Sequence, residues 1–495
     1  MARRRARRAA LSHSGRGAPD PAAGLTGSLR GEPMADLLLS HGYFLAEDEK
    51  ERAVMKPYPP LGLLSLSAYL KREGFSVEVF DTTFATREAL FARLDEGPGV
   101  LGLYTNLMTR PPVLAITAAA KTRGWTVVLG GPESANYPAE YLAAGADVVV
   151  RGEGEETLRE LLPALAARGL HRLDGIAGIA FRDETGVVVS GPPRAQVRSL
   201  DALPWPDREA IDHEPYLAAW RERHGEGSVN LITARGCAYK CDWCSHAVFG
   251  NTHRRRSPAN VAAEVEWIRD RYRPEQVWYA DDVFTISHRW LFEYAAELEK
   301  RGLKFPFETI SRADRMADEE VLATLARLGC RRIWIGSESG SQRLLDAMRR
   351  GVTVEQVRWA THAARRHGIE VGMFLMWGYD GETAEDVAAT VEHVRASLPD
   401  VYFTTLAYPI MGTGYYEKVK GRVSLSRPWA EGGDRDHVVA GRAGRDTYRL
   451  ADRWLRAAVE SRRLEETAPE EARALAGEAD AARREFLAAF AEGDA

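Results

Sequence analysis

The chain has 495 residues, too many for one ordinary domain, and its 45% hydrophobic and 28% charged residues are typical of a globular protein. Its net charge of −5 gives no reason to expect nucleic acid as a partner. No apolar run approaches the roughly 20 residues that a membrane span needs, so we expect a cytoplasmic protein of two or three domains without a membrane span.

The first segment, residues 1–33, is rich in Arg, Gly, Ala, Pro and Ser and shows no periodicity, so we expect a disordered N-terminal extension. It lacks the apolar segment that a secretory signal requires. Met34 precedes the first credible strand, and a translation start there is one alternative. An Arg-rich arm that binds nucleic acid is the other.

Residues 34–170 alternate short apolar runs with amphipathic stretches. The runs predict strands at 35–40, 77–80, 100–104, 126–129 and 148–150. The amphipathic stretches predict helices at 60–73, 87–94, 112–123, 137–144 and 155–167. Such strand–helix alternation with buried strands is typical of a doubly wound parallel sheet, so this part of the chain is predicted to be an α/β domain.

Residues 171–225 are predicted to be a connector that contains a hairpin, with strands at 178–182 and 186–190. A second alternation, 226–420, has strands predicted at 229–233, 276–279, 305–310, 332–335, 371–376 and 402–406. Helices are predicted near 259–271, 289–301, 318–328, 354–366 and 383–396. Six units are fewer than the eight of a closed barrel. Residues 421–495 are predicted to be a C-terminal helical region with a frayed end.

Three of the four cysteines fall within one loop: Cys237, Cys241 and Cys244. A disulfide framework would spread its cysteines along the chain, so this clustering indicates a metal site. The loop follows the first strand of the second alternation, where parallel barrels place their active sites. The fourth, Cys330, lies in an apolar stretch and is predicted to be a buried small hydrophobic residue.

Three thiolates can hold three corners of a cubane iron–sulfur cluster and leave one iron open for a ligand, because no fourth cysteine is nearby. A zinc site that adds His246 or His253 is the alternative, but zinc ligands usually come as two separate pairs. Unrelated free thiols are the remaining interpretation.

The spacing Cys-x-x-x-Cys-x-aromatic-Cys after the first strand of such a series resembles the radical S-adenosylmethionine (SAM) superfamily. Other segments look like recurring motifs of one large subgroup: 250–258, 278–285, 335–340, 350–357, 378–386 and 408–413. That subgroup carries an N-terminal cobalamin-binding domain and resembles radical methyltransferases and the anaerobic magnesium-protoporphyrin monomethyl ester cyclase. The resemblance therefore implies a cobalamin-binding domain at 34–170 and a partial six-unit, TIM-like radical SAM barrel at 226–420.

The resemblance also implies the cofactors: a [4Fe–4S] cluster, S-adenosyl-L-methionine and cobalamin. The open iron would bind the amino and carboxylate groups of SAM, and one electron would cleave SAM to a 5′-deoxyadenosyl radical. The three clustered cysteines are then the iron-binding and catalytic residues. We expect a small-molecule substrate and an external electron donor of the flavodoxin or ferredoxin kind.

Five further residues are predicted to contact SAM. By resemblance, Trp243 packs on the adenine, and Asp281 and Asp282 approach the methionine amino group. Glu338 follows the fourth strand, where the family contacts the ribose or methionine part, and Arg312 could pair with the methionine carboxylate. The alternatives are a helix-capping Asp pair and a surface salt bridge for Glu338.

The cobalamin-binding domain lacks the Asp-x-His-x-x-Gly pattern of corrinoid methyltransferases. His41 precedes a glycine, but the residues around it do not match this pattern. This would leave the lower cobalt face without a His ligand. The loop 104–110, with Tyr104 and Asn106, is the candidate to face it. Four glycines would allow close approach to the nucleotide tail, with a simple turn as the alternative for each: Gly130, Gly131, Gly152 and Gly154.

Two charged segments are less specific. The run at 254–256 is predicted to be a solvated surface, with an anion-binding role as the alternative. Glu153 and Glu155 are predicted to be surface or helix N-terminal charges.

The leading functional hypothesis is a cobalamin-dependent radical methyltransferase that acts on an unactivated carbon or phosphinate centre, through methylcobalamin and a 5′-deoxyadenosyl radical. An oxidative cyclase or ring-rearranging enzyme is the second. A methylthiotransferase is disfavoured because residues 1–236 contain no cysteine for a second cluster. A cobalamin- or iron-sensing binding protein is the non-enzymatic alternative.

Overall fold

A computed structural model describes residues 35–170 and 172–493. The predicted disordered extension at 1–33 and the alternative start at Met34 lie outside these residues. From Ala35 onward the chain belongs to one compact unit. In the described part, no helix combines the length and the apolar character that crossing a membrane requires.

The first domain is built on a seven-stranded sheet with the order β2-β1-β3-β4-β5-β6-β7. Its strands are β1 Leu37–His41, β2 Val77–Phe80, β3 Val100–Tyr104, β4 Thr126–Gly130, β5 Val148–Val150, β6 Ile179–Arg182 and β7 Val188–Ser190. The first five pair in parallel, whereas β6 and β7 are antiparallel. Most residues of the central strands are buried because helices cover both faces of the sheet.

The helices of this part are α1 Glu49–Val54, α2 Leu61–Arg72, α3 Arg87–Asp95, α4 Arg110–Thr122, α5 Pro132–Asn136, α6 Pro138–Ala143, α7 Glu155–Arg168 and α8 Glu214–His224. The short helices α1 and α5, and α8 in the connector, were not predicted. The hairpin predicted in the connector is present, and it extends the first sheet through the pairing of β5 with β6.

The second domain contains a six-stranded parallel sheet with the order β15-β14-β13-β12-β11-β8. These strands are β8 Ser228–Leu231, β11 Gln276–Tyr279, β12 Phe307–Ser311, β13 Cys330–Glu338, β14 Glu370–Trp377 and β15 Val401–Leu406. Two short strands, β9 Ala234–Arg235 and β10 Arg254–Arg255, form a separate antiparallel pair. The six strand–helix units agree with the predicted partial barrel.

Six helices follow the strands of the barrel: α9 Pro258–Tyr272, α10 His288–Lys300, α11 Glu319–Leu328, α12 Gln342–Ala347, α13 Val354–Arg366 and α14 Ala384–Ser397. They begin at sequence signals for helix starts, such as the capping box of Thr353 and Gln356 at α13. The outer side of the sheet and the buried stripes of these helices form the main core, which includes Cys330 as predicted.

The C-terminal region contains α15 Gly414–Val419, β16 Val423–Leu425, β17 His437–Val439, α16 Arg445–Leu464 and α17 Pro469–Gly493. The prediction of helices is therefore incomplete, because β16 and β17 pair as an antiparallel hairpin. α16 packs between α14 and α17 around Leu455 and Phe486. This apolar contact attaches the C-terminal helices to the barrel.

Candidate active site

The cysteine loop leaves the barrel at the end of β8 and returns at the start of α9. Its neck is closed by β9 and β10, in which Arg235 pairs with Arg254. Gly236 has φ of +79°, and a Cβ there would lie 2.3 Å from the Thr252 carbonyl oxygen. Glycine is therefore required where the two chains of the neck come together.

The three thiols of the loop lie close enough to affect one another. Burial, together with the charges of Asp282 and the other two thiols, raises the pKa of Cys244 to about 12. Burial is also the main reason that the pKa of Cys237 is raised. Without a metal the site thus favours neutral thiols, and an iron–sulfur cluster would supply the positive charge that keeps them as thiolates.

Cys241 lies deepest and faces two arginines. Its side chain is buried, with Arg350 Nη1 at 3.5 Å and Arg312 Nη1 at 3.9 Å from Sγ. Both guanidinium groups are themselves buried. Two positively charged guanidinium groups beside this sulfur would stabilise it as a thiolate ligand of an anionic cluster.

Within residues 35–170 and 172–493, no three His, Cys, Asp or Glu side chains converge on a position for a single metal ion. A cubane cluster does not need that convergence, because each thiolate binds a different iron. The donor set of three thiols backed by two arginines therefore fits a cluster with an open iron. Only four cysteines exist, and Cys330 lies in the core at the start of β13.

The structure brings Arg312 to the cysteine loop. Its Nε donates to Asp314 at 2.9 Å, its Nη2 donates to the Arg350 carbonyl at 2.8 Å, and its guanidinium lies 3.6 Å from the centre of the Tyr239 ring. Nη1 faces Cys241. Because every nitrogen already has a partner, this arrangement suits a residue that holds the loop, and pairing with a methionine carboxylate stays a prediction.

Glu338 ends β13 in an unusual backbone conformation. Its φ is +61°, and the register between β13 and β14 shifts beside it. The carboxylate is buried 3.6 Å from Arg350 Nε. Burial, only partly offset by Arg350 and Arg312, raises its pKa. A strained, buried acid at a strand end is typical of a functional position, although its predicted contact with SAM stays a prediction.

The two aspartates after β11 have different environments. Asp281 is buried and accepts hydrogen bonds from the backbone N–H groups of Thr233, at 2.7 Å, and Ala234, at 3.1 Å, and it pairs with Arg255 at 3.0 Å. It therefore anchors the neck of the cysteine loop. Neither aspartate caps a helix, since Ser287 caps α10.

Asp282 instead opens into a cavity beside the cysteines. Enclosure by the surrounding protein, together with the charge of Asp281, raises its pKa. It is thus the aspartate that could meet a bound ligand. Trp243 is half-buried and packs against the apolar cluster of Tyr379 and Tyr415, and its buried Nε1 has no partner. Its predicted contact with adenine stays a prediction.

One cavity of about 670 Å³ lies between the two domains. Its walls on the first domain include Tyr104 and all four predicted glycines, and its walls on the second include Asp282 and the cysteine-loop residues 245–250. A Cβ at Gly131, whose φ is +112°, would lie 2.2 Å from the Thr105 carbonyl oxygen. Apolar side chains such as Leu66 and Leu158 make up most of the remaining lining.

Two other predicted residues of the first domain are engaged elsewhere. Asn106 is not among the lining residues, and its Oδ1 accepts the Met108 N–H at 2.9 Å. His41 bonds Asp81 at 2.9 Å through Nε2 and Thr82 at 3.0 Å through Nδ1. Both ring nitrogens of His41 therefore have partners, and a lower cobalt face without a His ligand stays a prediction. His246, from the cysteine loop, is the one histidine among the described residues of the cavity lining.

The structure corrects most of the predictions for the charged segments. Glu155 does begin helix α7, as one of them had it, but neither Glu153 nor Glu155 is a surface charge, because both are buried and pair with Arg235 at 2.7 and 2.5 Å. Arg254 also pairs with Glu153, at 2.7 Å. The run 254–256 is not a solvated surface, because each arginine has an acidic partner within the protein. The sequence showed charges on loops but not which loops meet.

Sequence reasoning also missed Arg350 and Arg235. Arg350 lies in a segment that carries the family resemblance, and Arg235 lies two residues before Cys237. For both residues, the sequence offered only one indication of function: a positively charged side chain near a loop that was predicted to hold a cluster. A search for arginines adjacent to the cysteine loop could have found Arg235, whereas Arg350 is about a hundred residues away in the chain.

Comparison with known proteins gives a family match within each domain. Residues 231–394 match the model of the Radical SAM superfamily, and residues 53–162 match that of the B12 binding domain. An uncharacterised methyltransferase from Pyrococcus horikoshii is 28% identical over 395 residues, which are 77% of this chain and 83% of the relative. The anaerobic magnesium-protoporphyrin IX monomethyl ester cyclase of Rubrivivax gelatinosus is 26% identical over 378 residues, which are 74% of this chain and 67% of the relative.

A solved structure has the same fold. The radical SAM methyltransferase TsrM from Kitasatospora setae, with cobalamin and a [4Fe–4S] cluster bound, matches with a TM-score of 0.64 and 23% identity, covering 78% of this chain and 75% of TsrM. The predicted architecture of a doubly wound domain followed by a partial barrel is therefore confirmed.

Proposed function

Because this chain joins a B12-binding domain to a radical SAM domain, which together imply cobalamin, a [4Fe–4S] cluster and SAM as cofactors, we propose that it is a methyltransferase. The methyl acceptor in this proposal is an unactivated carbon or a phosphinate centre of a small molecule. When bound, the cluster with SAM supplies a hydrogen-abstracting radical, and cobalamin supplies a transferable methyl group.

The observation that carries the proposal is the shared cavity. Residues 130, 131, 152 and 154 of the first domain and residues 233–236 and 245–250 of the second line the same space of about 670 Å³. A substrate held there would face the cobalamin side and the cysteine loop at once. That is the arrangement that transfer of a methyl group to a radical carbon needs, because both reagents must reach one atom.

The residues of this chain have separable tasks in the proposal. The three thiols would hold the cluster, and Arg350 and Arg312 would keep Cys241 in place. The apolar lining would exclude water, which protects a reactive intermediate from side reactions. An external donor of the flavodoxin or ferredoxin kind would supply the electron.

The second candidate is an oxidative cyclase, and the likeness to the magnesium-protoporphyrin cyclase favours it. A cyclase would use the same cysteine loop and the same radical. It would differ in consuming SAM only for the radical and not as a source of methyl groups.

The test is to reconstitute the protein anaerobically with iron, sulfide and hydroxocobalamin, and then to supply SAM and a strong reductant. Chromatography would measure 5′-deoxyadenosine and S-adenosylhomocysteine, with Cys237→Ala as the inactive variant and Cys330→Ala as the matched control. We expect both products from the wild type and Cys330→Ala, and no deoxyadenosine from Cys237→Ala. Deoxyadenosine without S-adenosylhomocysteine would favour the cyclase, and tightly bound zinc in place of iron would contradict both.

A further inference from the structure

The two domains are joined beside the shared cavity by a buried group of four charges. Glu153 and Glu155 belong to the loop after β5 and the start of α7, whereas Arg235 and Arg254 are the paired residues of the loop neck. We call these four residues the neck clamp. Nη1 and Nη2 of Arg235 reach Glu153 at 2.7 Å and Glu155 at 2.5 Å, so one guanidinium bridges both carboxylates.

The two carboxylates of the clamp are paired with arginines and largely removed from solvent. Glu153 accepts hydrogen bonds from Arg254 Nη1 at 2.7 Å and from the Val197 N–H at 2.9 Å, in addition to Arg235. The side chains of Glu153 and Glu155 are only 3% and 5% exposed, and that of Arg235 is 14% exposed. Separating buried partners of this kind leaves uncompensated charges, which is strongly unfavourable. The two loops are therefore expected to move together.

Each end of the clamp lies at a different cofactor site. Glu153 and Glu155 line the cavity together with Gly152 and Gly154, on the side where cobalamin is expected. Arg235 is two residues from Cys237, in a neck that Asp281 ties to the barrel. A ligand in the cavity that displaces residues 152–155 must therefore also displace the neck of the cysteine loop. If the neck does not move, it opposes the binding of that ligand.

We propose that the neck clamp couples the two cofactor sites, so that cobalamin in the cavity and the cluster on the cysteine loop each tighten the binding of the other. Glu153, Glu155, Arg235 and Arg254 are positioning residues in this proposal, because they act through the loops they join. Coupling of this kind is reciprocal for binding. The proposal concerns the cofactors and not the reaction, so it holds for a methyltransferase and a cyclase alike.

The test measures the affinity of the full-length protein for hydroxocobalamin by equilibrium dialysis and absorbance, with and without the reconstituted cluster. The ratio of the two dissociation constants is the coupling factor. We expect about tenfold tighter binding with the cluster in the wild type. In Glu155→Gln, whose amide retains the size of the carboxylate but removes its charge, the factor should fall close to one.

The matched control is Glu160→Gln, in the same helix α7, whose partner Arg194 lies 2.6 Å away on the outside of the domain. It should keep the wild-type factor. A second readout is the part of the electron paramagnetic resonance spectrum that belongs to the reduced cluster, separated from the signal of the cob(II)alamin that the reductant forms. This part should change on cobalamin addition in the wild type and in Glu160→Gln but not in Glu155→Gln.

If Glu155→Gln fails to fold or to take up iron, Arg235→Lys keeps the positive charge but cannot bridge both carboxylates, and the same loss of coupling is expected. Equal coupling factors in the wild type and a clamp variant would overturn the proposal. A wild-type factor of one would overturn it as well.

Discussion

At the scale of single residues, the site is organised around charges next to the cysteine thiols. Arg350 is buried between Cys241 and Glu338, and it also donates to the Gly336 carbonyl at 2.8 Å. Arg349, the next residue, lies on the surface, with its side chain 63% exposed and 3.4 Å from Asp242. Of these two adjacent arginines, only Arg350 would face a cluster held by the cysteines, whereas Arg349 faces solvent.

We expect Arg350→Gln to lower the reduction potential of the cluster, because a nearby positive charge stabilises the reduced, more negative state. A unit charge at this distance in protein gives a shift on the order of 100 mV. Potentiometric titration followed by electron paramagnetic resonance measures it. Arg349→Gln is the control and should shift the potential little, since solvent screens its charge. Equal potentials for the wild type and Arg350→Gln would contradict the prediction.

At the scale of secondary-structure elements, the inner side of the barrel sheet carries stacked aromatic rings. Trp334 of β13 lies 5.0 Å from Phe374 and 5.3 Å from Phe403, measured between ring centres, and all three rings are nearly parallel. The indole also lies against Gly372 of β14, where a Cβ would be 2.3 Å from the ring. Glycine at this position lets Trp334 lie flat on the sheet.

Gly372→Ala should therefore destabilise the protein by ~1–3 kcal/mol, because the added methyl group must displace a buried indole from its stack. Chemical denaturation would measure the change. Gly477→Ala is the matched control: this glycine is exposed inside α17, and nothing lies within 4 Å of a Cβ there. It should stabilise the protein by about 1 kcal/mol through helix propensity. If Gly372→Ala were as stable as the wild type, the prediction would be wrong, because the Trp334 indole could then make room for a methyl group at no cost in stability.

At the scale of the whole molecule, the C-terminal region is attached to the first domain by a second buried ion cluster. Arg110 donates to Glu133 at 2.6 Å and to Asp434 at 2.8 Å, and it lies between the rings of Tyr137 and Trp429. Asp434 belongs to the segment between β16 and β17, so this contact links residues more than 300 apart in the chain.

This cluster predicts a pH dependence of stability. One arginine faces two buried carboxylates, and burial, with Asp434 adding to it and Arg110 opposing it, raises the pKa of Glu133 to about 7. The folded protein then holds a proton that the unfolded chain releases near pH 4.5. The stabilising contribution of this bound proton is fully present below pH 4.5 and is lost as the pH rises to about 7, by on the order of 3 kcal/mol.

Glu133→Gln should remove this slope, so that the stability of the variant relative to the wild type rises between pH 5 and about pH 7. Unfolding free energies at several pH values would measure it. Glu140→Gln, at an exposed position in α6, should follow the wild type. Parallel pH profiles for the wild type and Glu133→Gln would show that Glu133 is ionised throughout.

The sequence by itself determined the order and type of nearly all the long elements, because apolar periodicity and capping signals are local. It also placed Cys237, Cys241 and Cys244 on one loop, and the resemblance of their spacing to a known family predicted that they bind iron. Short elements such as α1, α5 and the β16–β17 hairpin escaped, because a few residues carry too little periodic signal.

Only the tertiary structure decided which charges meet. Glu153 lies 82 residues from Arg235, and Arg110 lies 324 residues from Asp434, yet each pair is buried in contact. A charged residue in a loop has the same local pattern whether it faces solvent or a distant partner. The pairing depends on the packing of one domain against another, and that packing is a property of the folded chain as a whole.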